Sequence, residues 1–249
     1  MTDPGRDRPT WEQRSSQAFV ALADTLVAGF DITTHVTMLS QRCTDLLAAD
    51  TAAVLLRGPH GDLRLAATAG HRADLLARFV ETTGDGPHLD CDRSGEPVSC
   101  LDLATERARW PRFRTAAVGY GFHAAHTLPM RLRDRTIGVV LLLNTAPRAV
   151  DAAWLGQALA DVATVGILQQ RTIDQGRQVA AQLETALTSR IIIEQAKGVL
   201  AEHGNVSMDE AFDQLRGYAR SHQQRLATLA HLVAAGTADL GAILAHQRR

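Results

Sequence analysis

The sequence predicts an α+β protein: an N-terminal domain with an antiparallel sheet and flanking helices, a long linker helix, and a C-terminal three-helix bundle. Three observations carry this reading. Strand-like runs with period-two alternation flank polar turns between residues 52 and 144, the chain from Asp151 to His203 contains no proline, and short amphipathic segments follow one another from Ser189 onward. The expected division is a disordered tail over 1–16, a sheet domain over 17–168, a linker helix or coiled coil over 169–185, the bundle over 186–236, and a tail over 237–249.

The polar opening "MTDPGRDRPTWEQRSSQ" reads as a mobile tail. From Ala18 to Ala49, apolar residues recur at spacings of three and four with Gly29 and Asp31 as a break, which predicts two helices. "TAAVLLRGPHGDLRLAATAG" predicts a hairpin, with Leu63, Leu65 and Ala67 on one face. A second, central hairpin is expected in "AAHTLPMRLRDRTIGVVLLLN", where Ile137, Val139, Leu141 and Leu143 share a face after the turn "RDR". Between the hairpins, residues 81–122 are rich in glycine and proline and offer one short strand at Pro97 to Cys100, so a long irregular connection is expected there.

The region from Asp151 to His203 predicts a long helix with Gly166 and Gly176 as weak points. Leu159, Val162, Ile173, Ala180, Leu183 and Leu187 approximate a 4-3 spacing, which fits a dimeric coiled coil or a helix packed on its own sheet. Further on, Gly204 is placed to end a helix in the left-handed conformation. "SMDE" then supplies a capping box from Ser207 and Glu210, and Val206 can staple onto Ala211. Met208, Ala211, Phe212, Leu215, Tyr218 and Ala219 form the expected apolar face of the second bundle helix. Leu226, Leu229, Ala230, Leu232 and Val233 form that of a third, beginning near Gln223.

Composition narrows the function classes. A chain of 249 residues with 45% hydrophobic and 21% charged residues buries a real core, and a net charge of −1 supplies no general attraction to polyanions. Cys43, Cys91 and Cys100 are odd in number and scattered, which fits a reducing, cytoplasmic setting better than a disulfide framework. No stretch reaches the roughly 18 to 20 apolar residues of a membrane span, and no secretory leader pattern is evident. Neither a P-loop nor an HExxH pattern nor a Ser-His-Asp order stands out.

The stretch "ALTSRIIIEQAKGVLAEHGNVSMDEAFDQLRGYARSHQQRLATLA" resembles an ANTAR domain, the RNA-binding module of bacterial antitermination regulators. "SR", "IEQAKGVL", "EAFDQLR" and "AR" fall in that family's order and spacing. The resemblance implies a three-helix bundle that dimerises and binds paired RNA stem-loops, favouring a structure incompatible with a terminator. Carried over by position, it points to Arg190, Gln195, Lys197, Gly198, Arg216 and Arg220 as RNA-binding residues, with Arg225 at the margin of the pattern. The cations can contact phosphates or splayed bases, and Gly198 leaves room for a backbone to approach. From the residues alone the same charges read as ordinary helix surface, with five cations and five acids between Ser189 and Gly236 and Asp213 spaced to pair with Arg216.

Residues 17–168 resemble a GAF domain of the kind fused to ANTAR modules in actinobacteria, on "GDGPHLDCDRSGEPVSCLDLATERARWPRF" and "GFHAAHTLPMRLRDRTIGVVLLLN". This implies a sheet with a cavity over it that senses a small molecule or mediates dimer contact. No ligand or cofactor is written in the sequence: the "NKxDE" motif of cyclic-nucleotide-binding relatives is absent. Similar domains often carry cysteine where this chain has His88, a departure that counts against a simple redox or metal role there. His88, Cys91 and Cys100 are read as packed residues rather than a metal set, and His123 and His126 as structural. The expected function is a signal-responsive RNA-binding regulator of antitermination, a cytoplasmic homodimer and not an enzyme. The alternatives are a GAF-based redox enzyme using Cys91 and Cys100 and a protein-interaction adaptor.

Overall fold

The computed structural model describes residues 10–24 and 31–246. Chain contacts divide it into two units, Met1–Thr172 and Ile173–Arg249. In the first, α1 (Trp11–Ala23) and α2 (Ile32–Leu46) precede β1 (Thr51–Arg57), β2 (Leu63–Gly70), α3 (Ala73–Phe79), α4 (Pro87–Ser94), β3 (Val98–Cys100), α5 (Pro111–Gly119), β4 (Ala124–Leu132) and β5 (Arg135–Asn144). The strands form one antiparallel sheet in the order β2-β1-β5-β4-β3.

Helix α1 starts inside the stretch expected to be a disordered tail over 1–16. Thr10 and Gln13 explain this: the Thr10 hydroxyl accepts the Gln13 N–H at 3.3 Å and the Gln13 side chain accepts the Thr10 N–H at 2.8 Å, a capping box that organises a polar first turn. Residues 1–9 and the expected break at Gly29 lie outside the described residues. Asp31 proves to be the N-cap of α2, accepting the Thr34 N–H at 2.8 Å.

Both faces of the sheet are covered. On one, Leu22 of α1 and Val36, Leu39 and Cys43 of α2 pack with Val54, Leu128, Val140 and Leu142. On the other, Leu76, Phe79, Phe113 and Ala117 from the short helices pack with Leu55, Val139, Leu141 and Leu143. The residue pairs Met130–Gly138 and Arg131–Thr136 leave Ile137 as an extra residue in β5, and this bulge reverses its facing. Ile137 therefore packs on the α1/α2 side, not with Val139, Leu141 and Leu143 as alternation predicted. Gly138 follows because a Cβ there would lie 2.3 Å from the Leu55 carbonyl oxygen.

Residues 81–122 are not one irregular connection, since they contain α4 and α5. Each carries proline in its first turn, Pro87 and Pro111, where the missing N–H costs nothing. Read as breakers, these prolines are in fact helix starts. Helix α6 (Ala153–Gly204) runs unbroken through Gly166 and Gly176. Its Leu155, Leu159, Ala160, Ala163 and Ile167 belong to the core beside α1 and α2, so this portion packs on its own sheet.

The second unit comprises the rest of α6 with α7 (Met208–Ser221), α8 (Leu226–Ala234) and α9 (Leu240–Ala245). The left-handed residue after α6 is Asn205 (φ 47), not Gly204. Val206 N–H donates to the Ala201 carbonyl at 3.1 Å and Asn205 N–H to Glu202 at 3.4 Å, the pairing of a Schellman stop. Gly204 serves packing instead: a Cβ there would meet Leu244 of α9 at 2.8 Å. That helix lies in the expected 237–249 tail, and its Ile243 is buried among Leu200, Leu215 and Val233, adding a fourth element to the three expected helices. The third bundle helix begins at Leu226 rather than near Gln223, which has φ 52. Leu232, expected on its buried face, is 41% exposed.

Burial depresses the pKa of His35, His88 and His126, the second to about 4 from 6.5. The folded state thus resists protonation that the unfolded chain accepts, so stability is present above pH 6.5 and is lost as pH falls towards 4. Denaturant titrations should show the first unit losing about 1 to 3 kcal/mol over this interval through His88, with a flatter profile in His88→Gln.

Candidate nucleic-acid interface

The second unit holds all six candidate residues. Arg190, Gln195, Lys197 and Gly198 are on α6, and Arg216 and Arg220 stand one turn apart on α7. The position of α7 follows from Ser207, whose hydroxyl accepts the Glu210 N–H at 3.2 Å while Glu210 accepts the Ser207 N–H at 2.9 Å. These hydrogen bonds also lower the Glu210 pKa, keeping the cap in its charged, accepting form at neutral pH. Ala211, Leu215 and Ala219 bury the opposite face against Ala196 and Leu200 of α6.

Two of the cations converge. The Lys197 ammonium lies 5.6 Å from the centre of the Phe212 ring and the Arg216 guanidinium 6.0 Å from it, within or at the limit of cation–π range. Phe212 was expected in the apolar face of α7, yet it is only partly buried and stands outside the bundle's core cluster. Met208, from the same expected face, is 42% exposed. Phe212 is the residue that sequence reasoning missed as part of the site. Its signal was the i, i+4 spacing to Arg216, which admits either role.

The remaining candidates differ in setting. Lys197 also pairs with Glu194 at 2.9 Å, and its side chain is 15% exposed, so its charge is held in place rather than swinging freely. Arg190, Arg216 and Arg220 are exposed and have no ion pair among the described residues; the expected Asp213–Arg216 pair is not formed. Gln195 is exposed, and a Cβ at Gly198 would meet nothing within 4 Å. Packing inside the chain therefore does not require glycine there. Gln195 and Gly198 share a strip with Ile191, which is 58% exposed, roughly a quarter-turn from Arg190 and Lys197. Arg225 is the N-cap residue of α8.

All three cysteines are free and buried, and burial pushes the Cys91 thiol up to about 12, so the attacking thiolate is scarce at neutral pH. His88 is buried against Phe113, with ring centres 5.6 Å apart. His126 bonds the Arg148 carbonyl through Nε2 at 3.0 Å.

A helix-covered antiparallel sheet, with a helical bundle whose cations gather on an aromatic ring, defines a two-module chain with one module of sensor-domain architecture. The chain belongs to the GAF domain family, whose match spans residues 31–187, and carries an ANTAR domain over residues 181–233. No curated protein matches it. Among solved structures it is similar to free methionine-R-sulfoxide reductase from Neisseria meningitidis, at 16% identity and TM-score 0.52 over 66% of this chain and 91% of that one. The GAF domain of an Acinetobacter phosphoenolpyruvate-protein phosphotransferase matches at 13% identity and TM-score 0.50, covering 64% of this chain and 95% of that one. The chromophore-binding domain of a bacteriophytochrome from R. palustris matches at 16% and 0.52, covering 67% and 65%. At these identities the likeness is one of fold.

Loss of the Ser207 cap should loosen the helix that presents Arg216 and Arg220. Ser207→Ala is expected to cost about 1 kcal/mol in chemical denaturation of the full chain and to raise amide exchange at the start of α7.

Proposed function

We propose that this protein is a signal-responsive RNA-binding regulator of transcription antitermination rather than an enzyme, acting in the cytoplasm on stem-loops of nascent transcripts. The observation that carries the reading is the convergence of Lys197 and Arg216, from different helices, on Phe212 within the ANTAR match. Their charges are fixed at one place and Phe212 offers a ring face. Phosphates meet the guanidinium and ammonium groups while a splayed loop base can lie on the aromatic surface. Arg190 and Arg220 extend the cationic strip on each helix, and Gln195 and Gly198 provide amide donors and an unobstructed backbone.

The proposed working form is a homodimer, because paired stem-loops present the same feature twice. Val179, Leu183 and Leu187 of α6 are 55% to 63% exposed and recur every four residues along one side of the helix. A second copy of this helix is the surface that covers such a strip, in coiled-coil fashion. The GAF domain would then bias the pairing of the two helices, and with it the placement of the two RNA-facing strips.

Gel-shift titration with a dual stem-loop RNA tests the surface. Lys197→Glu and Arg216→Glu are each expected to weaken binding at least about tenfold and to lower the salt dependence by about one ion per lost contact. Unchanged binding in both variants would refute the assignment. Separately, light scattering should report twice the chain mass for the wild type and the single-chain mass for the double variant Leu183→Glu/Leu187→Glu.

A further inference from the structure

The turn end of the sheet carries a cationic hollow that the RNA-facing surface does not involve. It has a volume of about 520 Å³ and is formed by the end of β1, the C-terminal end of α4 and the β4–β5 turn. Five arginines line it: Arg57, Arg93, Arg131, Arg133 and Arg135. In a chain of net charge −1, this is a marked local excess of positive charge.

The charge is only partly neutralised from within. Asp92 is committed to Arg57 at 2.8 Å, Glu96 to Arg131 at 3.4 Å and Asp90 to Arg93 at 3.0 Å. Arg133 and Arg135 have no ion pair among the described residues, and the one uncommitted carboxylate in the lining is the exposed Asp134 between them. The Nε of Arg57 is a buried donor without a partner. The three pairs hold the rim arginines in place, which leaves Arg133 and Arg135 to meet an anion.

Two further features mark this turn. Arg133 adopts φ 54, a left-handed conformation that glycine takes without strain and that is uncommon for a long side chain. In addition, a second hollow of about 490 Å³ on the α6 side of the same turn shares Arg131 and Arg133 and is lined by Leu132, Asp161, Val162 and Val165. Leu132 and Val165 are 43% and 39% exposed. Arg131 and Arg133 therefore stand between the two hollows, the cationic one on the α4 side of the sheet and this one on the α6 side.

We infer that the cationic hollow binds a small polyphosphate ligand of the nucleoside di- or triphosphate class. Its phosphates would lie among Arg57, Arg133 and Arg135. Guanidinium forks match phosphate oxygens in pairs, and a hollow of about 520 Å³ admits a mononucleotide-sized molecule. Because Asp92, Arg93 and Ser94 are on α4, an occupant would join the β4–β5 turn to that helix. Binding is independent of the RNA reading; only its role as the regulator's signal rests on it.

Calorimetric titration of the full-length protein with ATP and inorganic tripolyphosphate, at roughly 0.15 M salt, tests this. Saturable binding of ATP is expected, with adenosine giving no heat. Arg133→Ser/Arg135→Ser is expected to weaken ATP binding at least about tenfold. Arg133→Gly, which relieves the left-handed arginine, should melt no lower than the wild type and still bind ATP more weakly, so loss of binding is separated from loss of fold. No saturable binding, or equal binding in these variants, would overturn the inference. So would a result in which neither anion binds but the double variant weakens dual stem-loop RNA as much as Lys197→Glu, because the patch would then be an RNA backbone contact. Failure of RNA binding in the wild type with ATP binding intact would count against the RNA reading alone.

Discussion

Burial of β1 and β5 on both faces is the constraint from which the first unit follows. Ile137 to Asn144 and Thr51 to Leu55 are consecutive buried residues, so neither face of the central strands can remain in water. Covering two faces requires helices from two parts of the chain. Helices α1, α2 and the start of α6 take one face, while α3, α4 and α5 take the other. The bulge at Ile137 belongs to the same accommodation, because it turns that residue to the α1/α2 side, while the missing side chain of Gly138 lets β5 pass close to the Leu55 carbonyl. The arginine-rich turn of residues 131–135 emerges where that burial stops.

The bundle rests on a different balance. Its core is small, built from Ala196, Leu200, Ala211, Leu215, Ala219, Leu229, Ala230, Val233 and Ile243, with several alanines allowing close helix approach. Such a unit depends on well-defined helix ends, and it has them in the Schellman stop at Asn205 and the capping box of Ser207 and Glu210. The short link between these two motifs sets α7 beside α6 so that Phe212 comes under both Lys197 and Arg216. Local backbone chemistry thereby positions a surface feature to which neither helix alone could give rise.

Much of the fold was legible in the residues. Both hairpins, the central pairing of β4 with β5, the proline-free α6 and the Ser207 cap were readable because alternation, turn residues and capping are local and leave periodic marks. The order "SR", "IEQAKGVL", "EAFDQLR" and "AR" likewise marked the bundle that the ANTAR match covers. What escaped was decided at a distance. Phe212 reads as core by spacing, and Gly204 reads as a helix stop although its absent Cβ makes room for Leu244 of α9. The facing of Ile137 depends on one extra residue against a partner strand, which no single-strand pattern reveals.

The sequence by itself therefore determined the two hairpins, the proline-free helix and the capped helix pair, since those depend on propensities and hydrogen bonds within a few residues of each other. Only the tertiary structure decided which exposed charges stand together. It gathered Lys197 and Arg216 on one ring from α6 and α7, and Arg57, Arg93, Arg131, Arg133 and Arg135 around one hollow from three separate segments. Charges scattered along a chain carry no local signature of their neighbours, because Coulomb attraction and burial act through space, and the fold alone sets those distances.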